Sequence, residues 1–561
     1  MPDVDKVQIK VDGTALADDV HNDLAFVRVE ESVQLPDAFQ VHFYDPFFQL
    51  FDRKLFKIGS AIEVAFRAGS SLVTVTKGEV TAITIEQGRG TGNELVIAGF
   101  DKLHRLHKKP KSHTYLNMTD SAIVSKIAGD NGLSASVDST SETHQYVVQH
   151  GQTDYEFIRE RADRNGYHVY FADGQLAFKK KPAATGSAPA LAWGDNLTKF
   201  RVRLSASERA DDVTVKGWDA TQKQVITGKA TVASDLSMKY TTAPVLATVE
   251  QQAKSSFGTV SRMAGHIPVE TQAEAKALAG SFLLKAAGGE VVVRGEALGN
   301  PNIAAGATVA ISGVGESLSG SYTLTSVEHV YGAEISYTTR FVSSGKDPDS
   351  LSELLSGGRG ADGAAQGWGG LAVGVVTNAN DPDKLGRVKV KIPVLSEEDE
   401  TAWARVASPG GGANRGLSVL PEVQDEVLVG FEFGDMRRPV ILGGLWNKTD
   451  TPPPTTEVKD GKVRTRVWQS RAGHKIELVD DDSAPTVTIA FKGSTSTIEL
   501  TKDGVTVKTD KSLTLEGKDI EVKASGKLAL SGSQGVSIKG GKVEINGSPD
   551  VTVSAPQIKL N

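Results

Sequence analysis

From Val505 to Asn561 the chain repeats one small unit: two apolar residues flank one that is usually polar, and a polar, Gly-rich gap comes next. The units begin at Val505, Leu513, Ile520, Leu528, Val536, Val543, Val551 and Ile558, always seven or eight residues apart. In a strand, residues i and i+2 share a face. Val505/Val507, Leu513/Leu515, Ile520/Val522, Leu528/Leu530, Val536/Ile538, Val543/Ile545, Val551/Val553 and Ile558/Leu560 therefore each present an apolar pair to one side. Gly, Asp, Ser and Asn in the gaps allow a bend after every strand. A three-residue strand cannot offset an ordering entropy of roughly 1–2 kcal/mol per residue, so these strands must stack. Two stackings fit. One chain can coil on itself, three strands per coil, with a coil of about 23 residues. Alternatively, three chains wind together, each giving one face of a triangular prism. An ordinary meander would show longer strands and less regular gaps. Either stacking gives a stiff rod with a dry core and a polar skin, and neither gives a pocket.

A chain of 561 residues is too long for one core, and domains of roughly 100–200 residues imply three to five units. Residues 1–100 alternate as strands ("VQIKV", "IEVAF", "ELVIAGF"). Three helices interrupt the β pattern. The first covers 121–128. The second follows Thr153, with Glu156 at capping-box spacing and Asn165-Gly166 as a stop. The third follows Thr271, with Glu274 three residues on. "YHVYF", Ala172-Asp173-Gly174 and "QLAFK" read as a hairpin. Periodicity is lost over 346–370, a linker between the 1–345 region and the strands that begin at 371. Five short strands within 371–447 fit a small closed barrel of the OB type. "TPPP" opens a neck at 448–485, and the repeats are placed at 486–561.

These stretches resemble the spike of contractile injection machines: contractile-tailed phages, type VI secretion with its VgrG proteins, and extracellular injection particles. The motifs that carry the resemblance are "DPDKLGRVKVKIP", "WARV", "PEVQDEVLVGFEFGD" and "RPVILGGLWN" for the OB domain, "SRAGHKIELVDDD" for the neck and "QTDYEFIRERADRNGYHVYF" for the hub. The resemblance implies a mainly β protein with two tube-like β domains and a helical insert in the hub, an OB barrel and an intertwined triple-stranded β-helix. It implies a homotrimer that adapts a six-fold tail tube to a three-fold needle. Its implied partners are inner tube and baseplate proteins, a PAAR-type tip protein and the target membrane. The implied setting is synthesis in the cytoplasm and assembly into a phage tail-like particle, and the N-terminus shows no Sec-type signal. Under this reading Ser554, Ile558, Lys559, Leu560 and Asn561 form the platform for the tip protein. About forty residues separate Trp446 from Thr486, too few for the lysozyme domain that some phage spikes carry there.

Chemistry-bearing patterns are sparse. Net charge is −7, against a phosphate-driven nucleic-acid binder. No cysteine is present, so neither disulfides nor thiolate metal sites arise. "GRGADG" at 358–363 follows no strand and opens no helix. His104, His107 and His113 read as a solvated or partner-facing basic loop rather than a zinc site. Asp480–Asp482 reads as a solvated turn rather than a calcium site. Glu156 and Glu160 lie four apart on the second helix among Arg159, Arg161 and Arg164, which reads as a charged outer face. No histidine follows His474 to bind a tip metal. The expectation is a force-bearing protein with no enzymatic activity, cofactor or metal. The competing reading is a β-solenoid enzyme or adhesin acting on surface polysaccharide. From Val505 onward the repeats hold no aromatic residue, which disfavours sugar binding.

Overall fold

Alternation of apolar and polar residues builds a broad sheet through much of the first unit. In β1 (Val7–Val11) Val7, Ile9 and Val11 are buried, while Gln8 and Lys10 point to the other face. A computed structural model describes residues 7–88, 92–184, 188–207, 209–231, 240–265, 267–332, 335–345, 369–396, 398–454 and 457–559. The chain divides into two units, Met1–Trp446 and Asn447–Asn561. After β1 come β2 (Thr14–Ala15), β3 (Leu24–Ser32), β4 (Ala38–Tyr44), β5 (Ala61–Ala68), β6 (Ser71–Gly88) and β7 (Gly92–Phe100). Their inner face packs Phe39, Phe43, Phe66 and Ile97 into one core. Gly78 and Gly99 leave room there for the Phe39 ring, which a Cβ at either position would strike.

An insert comes next, with its own core of Leu103, Tyr115, Phe157, Ile158 and Phe178. It comprises β8 (Lys111–Thr119), α1 (Asp120–Asp130), β9 (Ser134–Val137), β10 (Thr143–Gln152), α2 (Asp154–Asn165), β11 (His168–Ala172) and β12 (Gln175–Lys179). The hairpin read from the sequence is β11–β12, with Asp173 and Gly174 both at positive φ. The chain continues through β13 (Leu197–Leu204), β14 (Asp212–Asp219), β15 (Gln224–Thr231), α3 (Val245–Phe257), β16 (Ser261–Ala264), α4 (Gln272–Gly288), β17 (Val291–Leu298), β18 (Ser326–Gly332) and β19 (Thr338–Ser343). The helix α3 was not expected. Pro244 precedes it and no side chain caps it, so the start signal that marks the other two long helices of this region is missing. Strands of both hub halves join in one 11-stranded sheet, in the order β13-β17-β19-β18-β3-β4-β7-β6-β5-β1-β2.

The five strands read at 371–447 are β20 (Ala372–Asn378), β21 (Arg387–Lys391), β22 (Ala404–Val406), β23 (Glu426–Phe431) and β24 (Pro439–Gly444), and they close into a barrel. Val376, Val388, Val390, Val427, Val429 and Ile441 fill it. In the second unit, β25 (Thr465–Gln469), β26 (Lys475–Val479), β27 (Thr486–Ala490), β28 (Ser496–Thr501) and β29 (Gly504–Thr509) form an antiparallel meander. Thr486–Thr509, read from the sequence as the start of the needle, thus lies in the same sheet as the neck strands. Its five- and six-residue strands are long enough to pair within one chain. Beyond Thr509 the described residues form no further strand.

The seam of the hub sheet is β18 against β3, and it buries charge-bearing groups. Glu31 accepts a hydrogen bond from the Ala305 N–H at 2.9 Å. Its other oxygen lies 3.7 Å from Nε2 of the fully buried His329. The hydroxyls of Tyr337 and Thr339 lie 2.9 and 3.2 Å from His329 Nδ1. Burial pushes the Glu31 carboxyl up to about 8 and the His329 imidazole down to about 3, because low polarizability disfavours the charged form of each. The stability that Glu31 contributes is full below its ordinary 4.5 and lost as pH rises to about 8. That of His329 is full above its ordinary 6.5 and lost as pH falls toward 3. Between pH 6.5 and 8 only the Glu31 loss acts within this pair. Glu31→Gln is therefore expected to flatten the fall in hub melting temperature over that range. Equal pH slopes for variant and parent in thermal melts would refute the assignment.

Candidate functional site

The helix α2 carries most of the polar chemistry of the hub. Thr153 Oγ1 accepts from the Glu156 N–H at 3.2 Å, and Glu156 accepts from the Thr153 N–H at 2.9 Å, completing the expected capping box. Glu160 accepts from the Gln152 amide at 2.9 Å, so the two carboxylates serve the helix start and are not a catalytic pair. The expected charged outer face is corrected: the arginines of α2 turn inward or toward neighbouring segments. Arg159 donates to the Gln34 carbonyl at 2.6 Å. Arg161 is buried, donates to Asp120 at 2.5 Å and lies 3.0 Å from His144 Nε2. Burial alone would raise the Asp120 carboxyl, but Arg161 and His144 hold it well below the usual range.

Arg164 makes the contact that joins domains. It donates to Glu274 on α4 at 2.7 Å and to the Pro268 carbonyl at 3.1 Å. Arg437, from the barrel segment between β23 and β24, donates to the same Glu274 oxygen at 2.9 Å and to the same Pro268 carbonyl at 3.3 Å. Asp435 accepts three further bonds from the Arg437 guanidinium, at 3.2, 3.0 and 2.8 Å. The second Glu274 oxygen accepts from the Glu270 N–H at 2.7 Å. Glu274 was expected to close a capping box on Thr271; its carboxylate serves the arginines and Glu270 instead. Burial disfavours the charge on Glu274, yet Arg437 and Arg164 outweigh it and keep the group ionised. Next to it, Arg438 donates to the Trp218 carbonyl at 3.0 Å and the Val269 carbonyl at 3.3 Å. Thr114 donates to Asp399 of the barrel at 2.8 Å. Hub and barrel are therefore locked by a buried ionic clamp. Glu274 and Asp435 are each held by arginine, so the clamp binds and orients.

The remaining residues singled out from the sequence are dispersed. Lys102–His107 is a short 3-10 helix that buries Leu103 and Leu106, not a solvated loop. His104 bonds to Glu79 at 3.0 Å, His107 stacks on Tyr155 and His113 packs edge-on against Tyr115. Among the described residues no group of three His, Cys, Asp or Glu is arranged to hold a metal. Asp481 accepts from Ser483 and Ala484 in the neck turn and pairs with Arg464. "GRGADG" lies outside the described residues, as do Leu560 and Asn561. The repeat side chains Val505, Val507, Leu513, Leu515, Ile520, Val522, Leu528, Leu530, Val536, Ile538, Val543, Ile545, Val551, Val553 and Ile558 are all exposed. Leu528 and Leu530 are 54% and 71% exposed. Ser554 and Lys559 are exposed as well. The role of Arg437, Arg438 and Glu274 was missed. Their signal was the "RR" before Pro439 in a barrel motif otherwise read for its strands.

Residues 2–332 match the family model described as the Alg8 N-terminal domain. Residues 372–446 match the type VI secretion system/phage-baseplate injector OB domain, the same stretch that closes into the barrel. The chain is 33% identical over 105 residues to the type VI secretion system spike protein VgrG3 of Vibrio cholerae serotype O1, covering 18% of this chain and 10% of that protein. It is 31% identical over 104 residues to the actin cross-linking toxin VgrG1 of another Vibrio cholerae serotype O1 strain, again 18% of this chain and 10% of that protein. The chain thus spans about a tenth of the length of these curated relatives. In fold it is similar to a chain of the lidded Francisella PdpA-VgrG complex, with a TM-score of 0.55 and 11% identity over 90% of this chain and 79% of that one.

Breaking a buried pair by removing one partner costs about 3–5 kcal/mol. Arg437→Ala leaves Asp435 without its bidentate partner and Glu274 with Arg164 alone. The variant is expected to lose stability of that order and to make the hub–barrel junction sensitive to protease, with Arg437→Lys intermediate. Thermal melts and limited proteolysis check this, and a wild-type melt for Arg437→Ala would show that the clamp carries no load.

Proposed function

We propose that this chain, which belongs to the Alg8 N-terminal domain family, is the central, force-bearing spike of a contractile injection machine, acting as a homotrimer. The carrying observation is the state of the repeats. Seven apolar pairs from Leu513 onward come after an injector-type barrel. Within one chain their described residues form no strand and are exposed. A single-chain solenoid would pair each unit with the one three later, so this pattern supports the three-chain prism. In that prism Leu513, Leu528 and Val536 face the shared axis and the polar middle residues face out. In this reading the domain limits taken from the sequence, with the neck sheet extended to Thr509, give a hub, a barrel and a needle in chain order.

In this reading the hub meets inner tube and baseplate proteins of a tail-like particle and the needle meets the target membrane. Ser554, Ile558, Lys559, Leu560 and Asn561 seat a PAAR-type cone, because a prism that stops there leaves open strand ends and a small apolar triangle. The protein works mechanically and carries out no catalysis.

Light scattering is expected to give three times the chain's 59.4 kDa. Leu528→Asp sets three carboxylates at one level of a dry core, where unpaired charge is not tolerated, and is expected to dissociate or melt the needle. A single-chain mass for the parent protein, or an unchanged heat-stable trimer for the variant, contradicts the prism.

Deleting 557–561 is expected to abolish capture of the cone while the trimer persists on the repeats upstream. Equal recovery by full-length and truncated protein in a pull-down would place the cone elsewhere.

A further inference from the structure

We propose that Asn546 is a site of covalent self-modification, at which the Gly547 backbone nitrogen displaces the asparagine side-chain amide and leaves an aspartyl or isoaspartyl residue near the end of the repeats. The proposal holds whether the repeats stack within one chain or among three, so it stands apart from the homotrimer reading.

The chemistry needs an asparagine followed by a glycine. The glycine nitrogen attacks the carbonyl carbon of the asparagine side chain, and the new C–N bond closes a succinimide ring. The side-chain nitrogen departs as ammonia and takes up the proton that the attacking nitrogen gives up. Water then opens the ring at either carbonyl, giving aspartate or isoaspartate. Water is the sole co-reactant, and glycine has no Cβ to hinder the attack.

The sequence holds three such pairs, Asn131-Gly132, Asn165-Gly166 and Asn546-Gly547, and the fold treats them differently. At the end of α1 the Asn131 amide donates to the Ile127 carbonyl and to Asp154, both at 2.9 Å. The Gly132 N–H is bonded to the Gly129 carbonyl at 3.0 Å. At the end of α2 the Asn165 amide donates to Asp120 at 2.7 Å and to the Arg161 carbonyl at 2.8 Å. The Gly166 N–H is bonded to the Ala162 carbonyl. In both pairs the leaving group is gripped, and the attacking nitrogen is turned to a helix carbonyl.

Asn546 and Gly547 are exposed and lie in no helix or strand. Among the described residues no hydrogen bond holds the Asn546 amide or the Gly547 N–H. Val543 and Ile545 form one apolar pair of the repeats, so alternation puts Glu544 and Asn546 on the opposite face. A stacking that buries the pair therefore leaves Asn546 on the polar skin. The product adds a carboxylate there, and the isoaspartyl form also lengthens the main chain by one carbon. Only the pairs Val551/Val553 and Ile558/Leu560 lie beyond it, so the change marks the distal end of an ageing chain.

The test incubates the native full-length protein and a urea-unfolded sample in mildly alkaline buffer, then maps tryptic peptides by mass. Peptide 543–559 carries Asn546, and isoaspartate is confirmed by enzymatic methyl transfer to it. In urea all three asparagines are expected to convert. In the native protein Asn546 is expected to keep its unfolded rate, with Asn131 and Asn165 slower by at least about tenfold, since local opening must precede attack there. Asn546→Gln is expected to remove the methyl-accepting signal from 543–559. Native conversion of Asn546 as slow as that of Asn131 and Asn165 overturns the proposal, as does a methyl-accepting signal in 543–559 that survives Asn546→Gln.

Discussion

A β-strand satisfies half of its backbone hydrogen-bonding groups on each side, and where each strand finds its second partner decides this architecture. The barrel of β20 to β24 finds it by closure, which leaves no edge. The neck finds it through five strands long enough to fold back on one another. The hub finds it across eleven strands but keeps two ends open. Among the described residues, the repeats beyond Thr509 find none within the chain.

Buried charge sets a second constraint, and the protein meets it in two ways. At Glu274 the charge is kept, because two guanidinium groups and a backbone N–H surround it. At Glu31 the charge is given up, because one backbone N–H and a neutral imidazole are not enough. The first arrangement fixes one domain on another. The second makes the hub seam sensitive to alkali.

Local features were the most legible in the sequence. Thr153 and Glu156 announced α2 because a capping box is a contact between residues three apart. The barrel strands were legible because alternation of buried and polar residues is set by the pleat. The helix α3 was not, since Pro244 offers no side-chain cap. The arginines of α2 were read as solvent-facing because four-residue spacing reports only neighbours on the same helix. The partners of Arg161 and Arg164, namely Asp120 and Glu274, are 41 and 110 residues away in sequence. No local pattern encodes such a pairing. The same holds for His104, whose partner Glu79 lies 25 residues upstream on β6.

The clamp also fixes an order in time. Glu274 and Arg437 are 163 residues apart. At roughly 5–20 residues per second of synthesis, about 8–30 s separate the emergence of the acid from that of its second base. Through that interval Glu274 has Arg164 beside it but not Arg437. The hub reaches its final stability when the barrel docks, so the ribosome delivers the fastening after the parts it fastens.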